Sequence, residues 1–104
     1  MSDFLWDYDP ASALTTTAAR AVFIADALAT GSDAHFVAAV GITIKAFGST
    51  EMARLTEIAV ADLEQLFGVQ GDPDLYRLIK VLRVLGVSLS VVATAPIHPE
   101  READ

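Results

Sequence analysis

The side chains that most often do chemistry in proteins are few and widely separated in this chain. There are two histidines, His35 and His98, and no cysteine, and neither histidine has the paired spacing that metal ligands show. Asp62 and Glu64 lie two positions apart in a predicted helix, so their carboxylates point in different directions. No nucleophile motif and no glycine-rich phosphate loop is present. The sequence therefore predicts a protein that is not an enzyme and that needs no cofactor or metal ion.

Size and composition indicate one globular domain. The chain has 104 residues, of which 53% are hydrophobic and 20% are charged. No apolar run reaches the roughly 18 residues of a membrane span, and the first residues lack a secretory signal, so we expect a cytoplasmic protein without a membrane contact. We assign 1–96 to the domain and 97–104 to a flexible tail. The net charge of −7 opposes nucleic-acid binding unless basic residues are concentrated on one face.

Apolar residues recur every three or four positions through most of the chain, which predicts an all-α fold. Capping residues and glycines divide this pattern into five helices at about 17–30, 34–47, 50–56, 60–67 and 73–85. The second helix carries the stripe Phe36, Val40, Ile44 and Phe47, and we expect it at the centre of the core. Gly41 in its interior costs about 1 kcal/mol relative to alanine, so we expect a neighbouring helix to approach closely there.

Two of the predicted helices are short and follow each other closely. Residues 50–56 and 60–67 are separated by a tight connector, and a longer helix follows, with Asp72 as its N-cap and Pro73 as its first residue. This order predicts a five-helix, lambda-repressor-like helix-turn-helix domain, in which the second short helix normally enters a DNA groove. Its outward positions are Asp62, Glu64 and Gln65, where phosphate would require lysine or arginine.

The two ends of the chain are predicted to be extended. Phe4, Trp6 and Tyr8 alternate with other residues in an arm over 1–9, and residues 87–93 alternate as a short C-terminal β-strand. An isolated strand needs a mate, which is either the same strand of a second copy or the aromatic arm. A two-fold homodimer is the more economical choice. The predicted dimer or partner interface consists of Trp6, Val87, Leu89 and Val91.

Two runs near the end of the chain carry a resemblance to a known family. They are residues 71–75 (Gly-Asp-Pro-Asp-Leu) and 79–86 (Ile-Lys-Val-Leu-Arg-Val-Leu-Gly), and residues 52–54 (Met-Ala-Arg) agree with them. In these runs the chain resembles the small addiction-module antidote proteins, a helix-turn-helix antitoxin family similar to HigA-like and Xre-like transcriptional regulators. The resemblance implies an all-α, dimeric DNA-binding domain that represses its own operon and opposes a toxic ribonuclease.

The chain departs from this family at the residues that would read DNA. Glu57 stands where the family's turn usually has glycine, and a left-handed conformation there would cost about 1–2 kcal/mol. Ala59 replaces the serine cap of the recognition helix, a loss of about 0.5–2 kcal/mol. Val60, Glu64 and Gln65 stand in place of an arginine, a tyrosine and a lysine. Turn, cap and contact residues have all changed in the direction that weakens DNA recognition.

The leading hypothesis is a DNA-binding transcriptional regulator of the antitoxin type with weakened DNA recognition. The residues predicted to face double-stranded DNA are Thr50, Arg54, Val60, Ala61 and Gln65, with Lys80 and Arg83 as phosphate contacts. Arg77, Lys80 and Arg83 share roughly one face of the last helix, where they either hold phosphate or pair with nearby acids.

The alternative hypothesis is a protein-interaction module that has lost operator binding. The acidic face of the second short helix would suit a basic ribonuclease toxin, because acidic side chains can cover the cations that such an enzyme uses on RNA. A dimeric scaffold is the other form of this hypothesis. A neighbouring gene for a small basic protein would favour the toxin.

Overall fold

The computed structural model describes residues 14–93, which form five α-helices. They are α1 (Thr17–Ala29), α2 (Asp33–Phe47), α3 (Ser49–Thr56), α4 (Val60–Leu66) and α5 (Leu75–Leu85). The all-α prediction is confirmed, and the predicted boundaries agree closely except at the start of α5. The predicted arm over 1–9, with Trp6, and the predicted tail over 97–104 lie outside the described residues. Within 14–93 no single helix is long and apolar enough to cross a membrane, and only α2 and α3 together, across a bend of 101°, reach that length and hydropathy.

The last helix begins at Leu75, two residues after its predicted start. Asp74 is extended, with a ψ of 159°, and its carboxylate accepts a hydrogen bond from the backbone N–H of Arg77 at 3.1 Å. Asp74 is therefore the N-cap, and the prediction of Asp72 in this role was wrong. Because an aspartate stands on each side of Pro73, both satisfy the sequence rule for a cap, and the extended backbone of Asp74 selects the second one.

The central helix of the domain is α2, which contacts α1, α3 and α5. Val40 and Ile44 of its predicted stripe are buried, and Phe36 and Phe47 are half-buried against the same core. The prediction that this helix lies at the centre is confirmed. The buried apolar residues of the core are Ile24, Val40, Ile44, Met52, Ile58, Leu63, Phe67, Val81, Leu82 and Leu85.

Gly41 marks a close approach between α2 and the end of α4. A Cβ atom at this position would lie 2.2 Å from the carbonyl oxygen of Phe67, which is well inside van der Waals contact. Phe67 directly follows α4, and its own side chain is buried. The predicted close approach is confirmed, and it holds the end of the second short helix against the central helix.

Arg20 of α1 joins two helix ends, those of α2 and α5, to Leu14, which precedes α1, at one corner of the domain. Its Nε donates to the carbonyl oxygen of Leu14 at 3.3 Å, and its Nη1 donates to the carbonyl oxygen of Leu85, at the end of α5, at 3.2 Å. The guanidinium carbon lies 5.3 Å from the centre of the Phe47 ring, at the end of α2. A cation at the carboxyl ends of two helices is also favoured by their dipoles. We call this place the Arg20 corner, defined by Leu14, Arg20, Phe47 and Leu85.

The predicted strand over 87–93 is not formed, since these residues are in neither helix nor strand. The N–H of Val87 bonds to the carbonyl oxygen of Leu82 at 2.9 Å, which completes the end of α5. Residues 14–93 contain no second strand to which the segment could pair. The prediction of a strand was wrong for this part of the chain because alternation indicates an extended backbone, whereas a strand also requires a hydrogen-bonded neighbour.

Candidate nucleic-acid interface

The short helices α3 and α4 contact each other across the connector 57–59, in the order and with the lengths predicted from the sequence. α3 packs against α2, α4 and α5, so the pair is held against the rest of the domain. Thr56, the last residue of α3, is buried. Its hydroxyl donates to the carbonyl oxygen of Met52 at 2.7 Å and accepts from the N–H of Ile58 at 3.3 Å. These two bonds tie the end of α3 to the connector and so help to set where α4 begins.

The connector is strained and α4 is uncapped. Glu57 has a φ of 63° and a ψ of 26°, in the left-handed region, and within 14–93 it is the one residue other than glycine with a positive φ. Ala59 precedes α4 and supplies no side-chain hydrogen bond to it. Glu57 is therefore left-handed and α4 lacks a side-chain cap, as the two departures from the family led us to expect.

The outward face of α4 is acidic. Ala61 and Gln65 are four positions apart and exposed, and they lie across the helix from the buried Leu63. Asp62 and Glu64 are exposed on either side of that line. Since α4 has no basic residue, a phosphate group placed on its outward face would meet two negative charges. Ala61 and Gln65 thus lie outward as predicted, whereas the predicted contact Val60 is half-buried.

Arg54, the single basic residue of α3, is bonded to an acid of the same helix. Its Nε donates to Oε1 of Glu51 at 3.0 Å, and Nη2 donates to the other carboxylate oxygen. The hydrogen bond to Arg54 is the main reason that the pKa of Glu51 is lowered, and the same bond raises the pKa of Arg54. The side chains of Arg54 and Glu51 are 66% and 48% exposed. Thr50 is exposed beside them, so both predicted contacts on α3 reach solvent, but the charge of Arg54 is already partnered.

The three basic residues of α5 have different surroundings. Nη1 of Arg77 donates to Oδ1 of Asp74 at 3.0 Å. The ammonium of Lys80 lies 5.1 Å from the centre of the Tyr76 ring. Arg83 is exposed and makes no ion pair within the described residues. Of the two readings left open for this face, pairing with a nearby acid therefore describes Arg77.

The predicted DNA contacts are divided between two surfaces. Arg77 lines a cleft together with Asp62, Gln65 and Asp72, so the basic residue in this cleft is already bonded to an acid. Arg83 lines a separate cleft with Ile79, Val87 and Leu89. This second cleft contains two residues of the predicted dimer interface. The structure thus joins Arg83 to the C-terminal segment and not to α4.

The C-terminal segment presents an apolar surface. Val87 is half-buried, Leu89 is 46% exposed and Val91 is 99% exposed. Val92, next to Val91, is also largely exposed. Of these residues, Val87, Leu89 and Val91 belong to the predicted partner interface, and the exposure of Leu89 and Val91 leaves them available for a partner.

His35 lies at the exposed start of α2, as expected for a boundary residue. Its Nδ1 is 3.4 Å from the hydroxyl of Thr30, and its backbone N–H donates to the hydroxyl of the N-cap Ser32. In the described part of the chain, no group of three or more histidines and carboxylates is placed to hold a metal ion. The position of His35 is therefore explained by its part in the turn before α2.

Sequence reasoning missed two features of the molecule. One is the role of Arg20, which lies in a run of alanines and gives no motif. The other is an apolar groove of about 480 Å³ between α2 and α4, where Ile42 and Val69 are exposed and Lys45 and Glu64 bring one charge of each sign. The signal for this groove was Gly41, because a glycine inside a helix permits a close backbone approach.

The chain was compared with known families, curated proteins and solved structures. Residues 5–93 match the profile of a family whose description is "Probable addiction module antidote protein". The match covers all five helices and the whole segment 87–93. No curated protein and no solved structure matches the chain.

Proposed function

This chain belongs to the family described as probable addiction module antidote proteins, and we propose that it acts as an antitoxin through direct contact with a basic partner protein. Membership of the family supports the antitoxin role. The charge of the helix-turn-helix supports a protein, and not operator DNA, as the main ligand. The partner that fits this charge is a ribonuclease toxin, whose RNA-binding cations would be covered by acidic side chains.

One observation carries the choice of partner. Arg54 is the one basic residue in 49–67, and it is bonded to Glu51, while Asp62 and Glu64 are exposed on the helix that would enter a DNA groove. Contacts to phosphate supply most of the sequence-independent affinity for DNA, and they need lysine or arginine. The same acidic face attracts a cationic protein and speeds its association.

The experiment is to purify the chain together with each small basic protein that a neighbouring gene encodes and to measure their association at several salt concentrations. Asp62→Lys is expected to slow association by roughly tenfold at low salt, because it reverses a charge at the centre of the proposed contact. Asp26→Lys is the matched control, since Asp26 is an exposed acid on α1, away from this face.

Two outcomes would contradict the proposal. Equal effects of Asp62→Lys and Asp26→Lys would show that net charge, and not the α4 face, attracts the partner. Failure of any neighbouring basic protein to bind would remove the antitoxin role by direct contact.

A second candidate function is repression of its own operon, which the arrangement of α3, the connector and α4 favours. Gln65 lies outward on α4 and has the amide that bonds adenine in the major groove. Since no basic residue supports it on α4, we expect affinity in the range of non-specific binding, about 10⁻⁴–10⁻⁶ M, and a steep fall with salt.

Fluorescence anisotropy with duplex DNA from upstream of the gene tests this second function. The double variant Asp62→Lys with Glu64→Lys is expected to bind DNA more tightly than the unchanged chain, although its single component Asp62→Lys weakens toxin binding. Nanomolar affinity of the unchanged chain that persists at about 200 mM salt would show that operator binding is strong in spite of the acidic face.

A further inference from the structure

An apolar groove runs between α2 and α4, and we call it the α2–α4 groove. Its lining includes the buried side chains of Leu63 and Phe67, with Ile42 and Val69 beside them, 39% and 88% exposed. Its volume of about 480 Å³ lies within the range of sites that hold a ligand. Because apolar surface gains free energy when it leaves water, this groove has the properties of a docking site for an apolar segment.

The two walls of the α2–α4 groove carry opposite charges. Glu64 lines the groove from α4, a helix in which Asp62 is also exposed and which has no lysine or arginine. Lys45 lines the groove from α2, and no ion pair joins it to Glu64 in the described part of the chain. An apolar segment with a cation at its α4 end would therefore gain an ion pair, whereas a cation at its α2 end would be repelled.

The segment 87–93 is a stretch of apolar chain that its own domain leaves uncovered. Beyond the bond from the N–H of Val87 to Leu82, no backbone-to-backbone hydrogen bond involves residues 88–93 within 14–93. Val91 is 99% exposed and Val92 is 73% exposed. Neighbouring apolar side chains that are this exposed mark a contact site, because burying them stabilises a complex.

A cation lies at the start of this segment. Arg83 is exposed, makes no ion pair within the described residues, and lines a cleft of about 210 Å³ with Ile79 and Leu89. Residues 75–93 contain three bases and no acid. Since Leu89 lies in this cleft against α5, and no residue of 87–93 lines the α2–α4 groove of the same chain, the segment is directed away from its own groove.

We propose that the segment 87–93 of one copy docks in the α2–α4 groove of a second copy of this chain, with Val91 in the groove and Arg83 paired with Glu64 of the second copy. One chain carries both halves of this contact, an apolar segment that follows a base and an apolar groove with an acidic wall. The ion pair also sets the direction of the segment, whose uncharged part then lies toward Lys45. The inference stands whether or not the protein is an antitoxin, because it concerns this chain alone.

The homodimer expected from the sequence, in which two segments 87–93 pair with each other, fits these charges less well. Each segment follows a helix with three bases and no acid, so that arrangement brings like charges together. It also leaves Arg83 without an acidic partner and the α2–α4 groove uncovered. Docking in the groove satisfies both.

The net charge of −7 on each copy opposes self-association, so the attraction has to come from the contact itself. At about 0.15 M salt the screening length is about 8 Å, and repulsion between the distant charges of two copies is largely removed. An ion pair in contact is screened less, particularly beside an apolar groove. Self-association is therefore measured at this salt concentration.

Sedimentation equilibrium of the full chain is expected to show a mass that rises with concentration, with a Kd of about 10–100 μM, since one short segment buries less area than a standard interface. Arg83→Glu and Glu64→Arg should each raise this Kd about tenfold, because each replaces attraction by repulsion. An equimolar mixture of the two variants should recover the association. In the mixture, the unchanged segment of one variant meets the unchanged groove of the other.

The matched control for Glu64→Arg is Asp26→Arg, the same charge change at an exposed position of α1, which should not weaken the association. Val91→Asp should abolish it without a change in helix content by circular dichroism, since Val91 is 99% exposed and the fold does not depend on it. A monomeric mass up to about 1 mM would overturn the proposal. Association that survives Val91→Asp, or that the mixture of charge variants does not recover, would also overturn it by placing the contact elsewhere.

Discussion

The connector between α3 and α4 and the Arg20 corner are two places where helix ends meet, and they are built in opposite ways. At the connector, Glu57 is held in the left-handed region and Ala59 supplies no cap. At the corner, one guanidinium bonds two carbonyl oxygens and lies against the ring of Phe47. The contacts of one side chain therefore join α1, α2 and α5 into a frame, whereas the α3–α4 unit is held by burial of its inward side chains and by the hydrogen bonds of Thr56 within it. A frame of this kind can keep the fold while the exposed side chains of the α3–α4 unit change their charge.

The largest effect is expected from breaking the corner. Arg20→Met keeps the apolar stem of the side chain but leaves the carbonyl oxygens of Leu14 and Leu85 without their donor. Hydrogen bonds to a charged group contribute about 1.5–3 kcal/mol, so we expect the free energy of unfolding to fall by about 2–3 kcal/mol. Urea unfolding followed by circular dichroism measures this.

Arg20→Lys tests whether the positive charge at the Arg20 corner or the pair of hydrogen bonds made by the guanidinium stabilises the fold. Lysine keeps the cation near the ends of α2 and α5, but it cannot bond both carbonyl oxygens with one planar fork. We expect it to recover less than half of the lost stability. Full recovery would show that the helix dipoles, and not the two hydrogen bonds, account for the effect of Arg20.

The connector should respond in the opposite direction. Glu57→Gly removes the cost of a left-handed side-chain residue, and after the greater flexibility of glycine in the unfolded chain is counted, we expect a gain of about 1 kcal/mol. Glu57→Ala is the control, since alanine removes the charge but keeps the strain. If alanine stabilises the protein as much as glycine, charge repulsion and not backbone strain is the cost at this position.

A smaller gain is expected from capping α4. Ala59→Ser places a hydroxyl where it can accept from the first N–H groups of the helix, and for a short exposed helix we expect about 0.5–1 kcal/mol. Ala25→Ser makes the same change of atoms at an exposed position in the interior of α1, where the N–H groups are already bonded within the helix, and it should give no gain. Hydrogen exchange of the α4 amides would show whether the added stability is local.

The sequence predicted the frame of this protein better than its surfaces. The stripe of α2, the close approach at Gly41 and the left-handed Glu57 were all predictable, because each follows from spacing or from the conformational preference of one residue. The cap at Asp74 was missed because two aspartates satisfied the same rule. Arg20, which lies in a run of alanines, was missed because its partners are backbone carbonyl oxygens, and these leave no signal in a sequence.

The candidate site was predicted residue by residue but not as a surface. Gln65 lies outward on α4 as expected, yet the cation beside it is Arg77, and Arg83 lies with Leu89 at the other end of α5. Spacing along α5 placed the three basic residues on roughly one face. Which element each of them meets depends on the packing of α5 against α3 and α2, and helical periodicity alone does not determine that packing.

The smallest effect is expected when the pH is lowered and the capping carboxylate of α5 becomes protonated. The pKa of Asp74 is held below its ordinary value of 3.8, first by the backbone N–H of Arg77, so the cap stabilises the fold above that value and is lost as the pH falls through the lowered pKa. Asp74→Asn keeps an oxygen that can cap but does not titrate. Between pH 5 and pH 2, roughly the range in which carboxylates titrate, the unchanged chain should therefore lose slightly more stability than the asparagine variant. Glu51→Gln removes the charged partner of Arg54 on α3, and its stability is compared with that of the unchanged chain over the same pH range. Because the pairs Glu51–Arg54 and Asp74–Arg77 are both exposed, added salt should reduce the difference in stability between each variant and the unchanged chain. A stability profile of Asp74→Asn that coincides with that of the unchanged chain would show that the cap of α5 works through its oxygen alone.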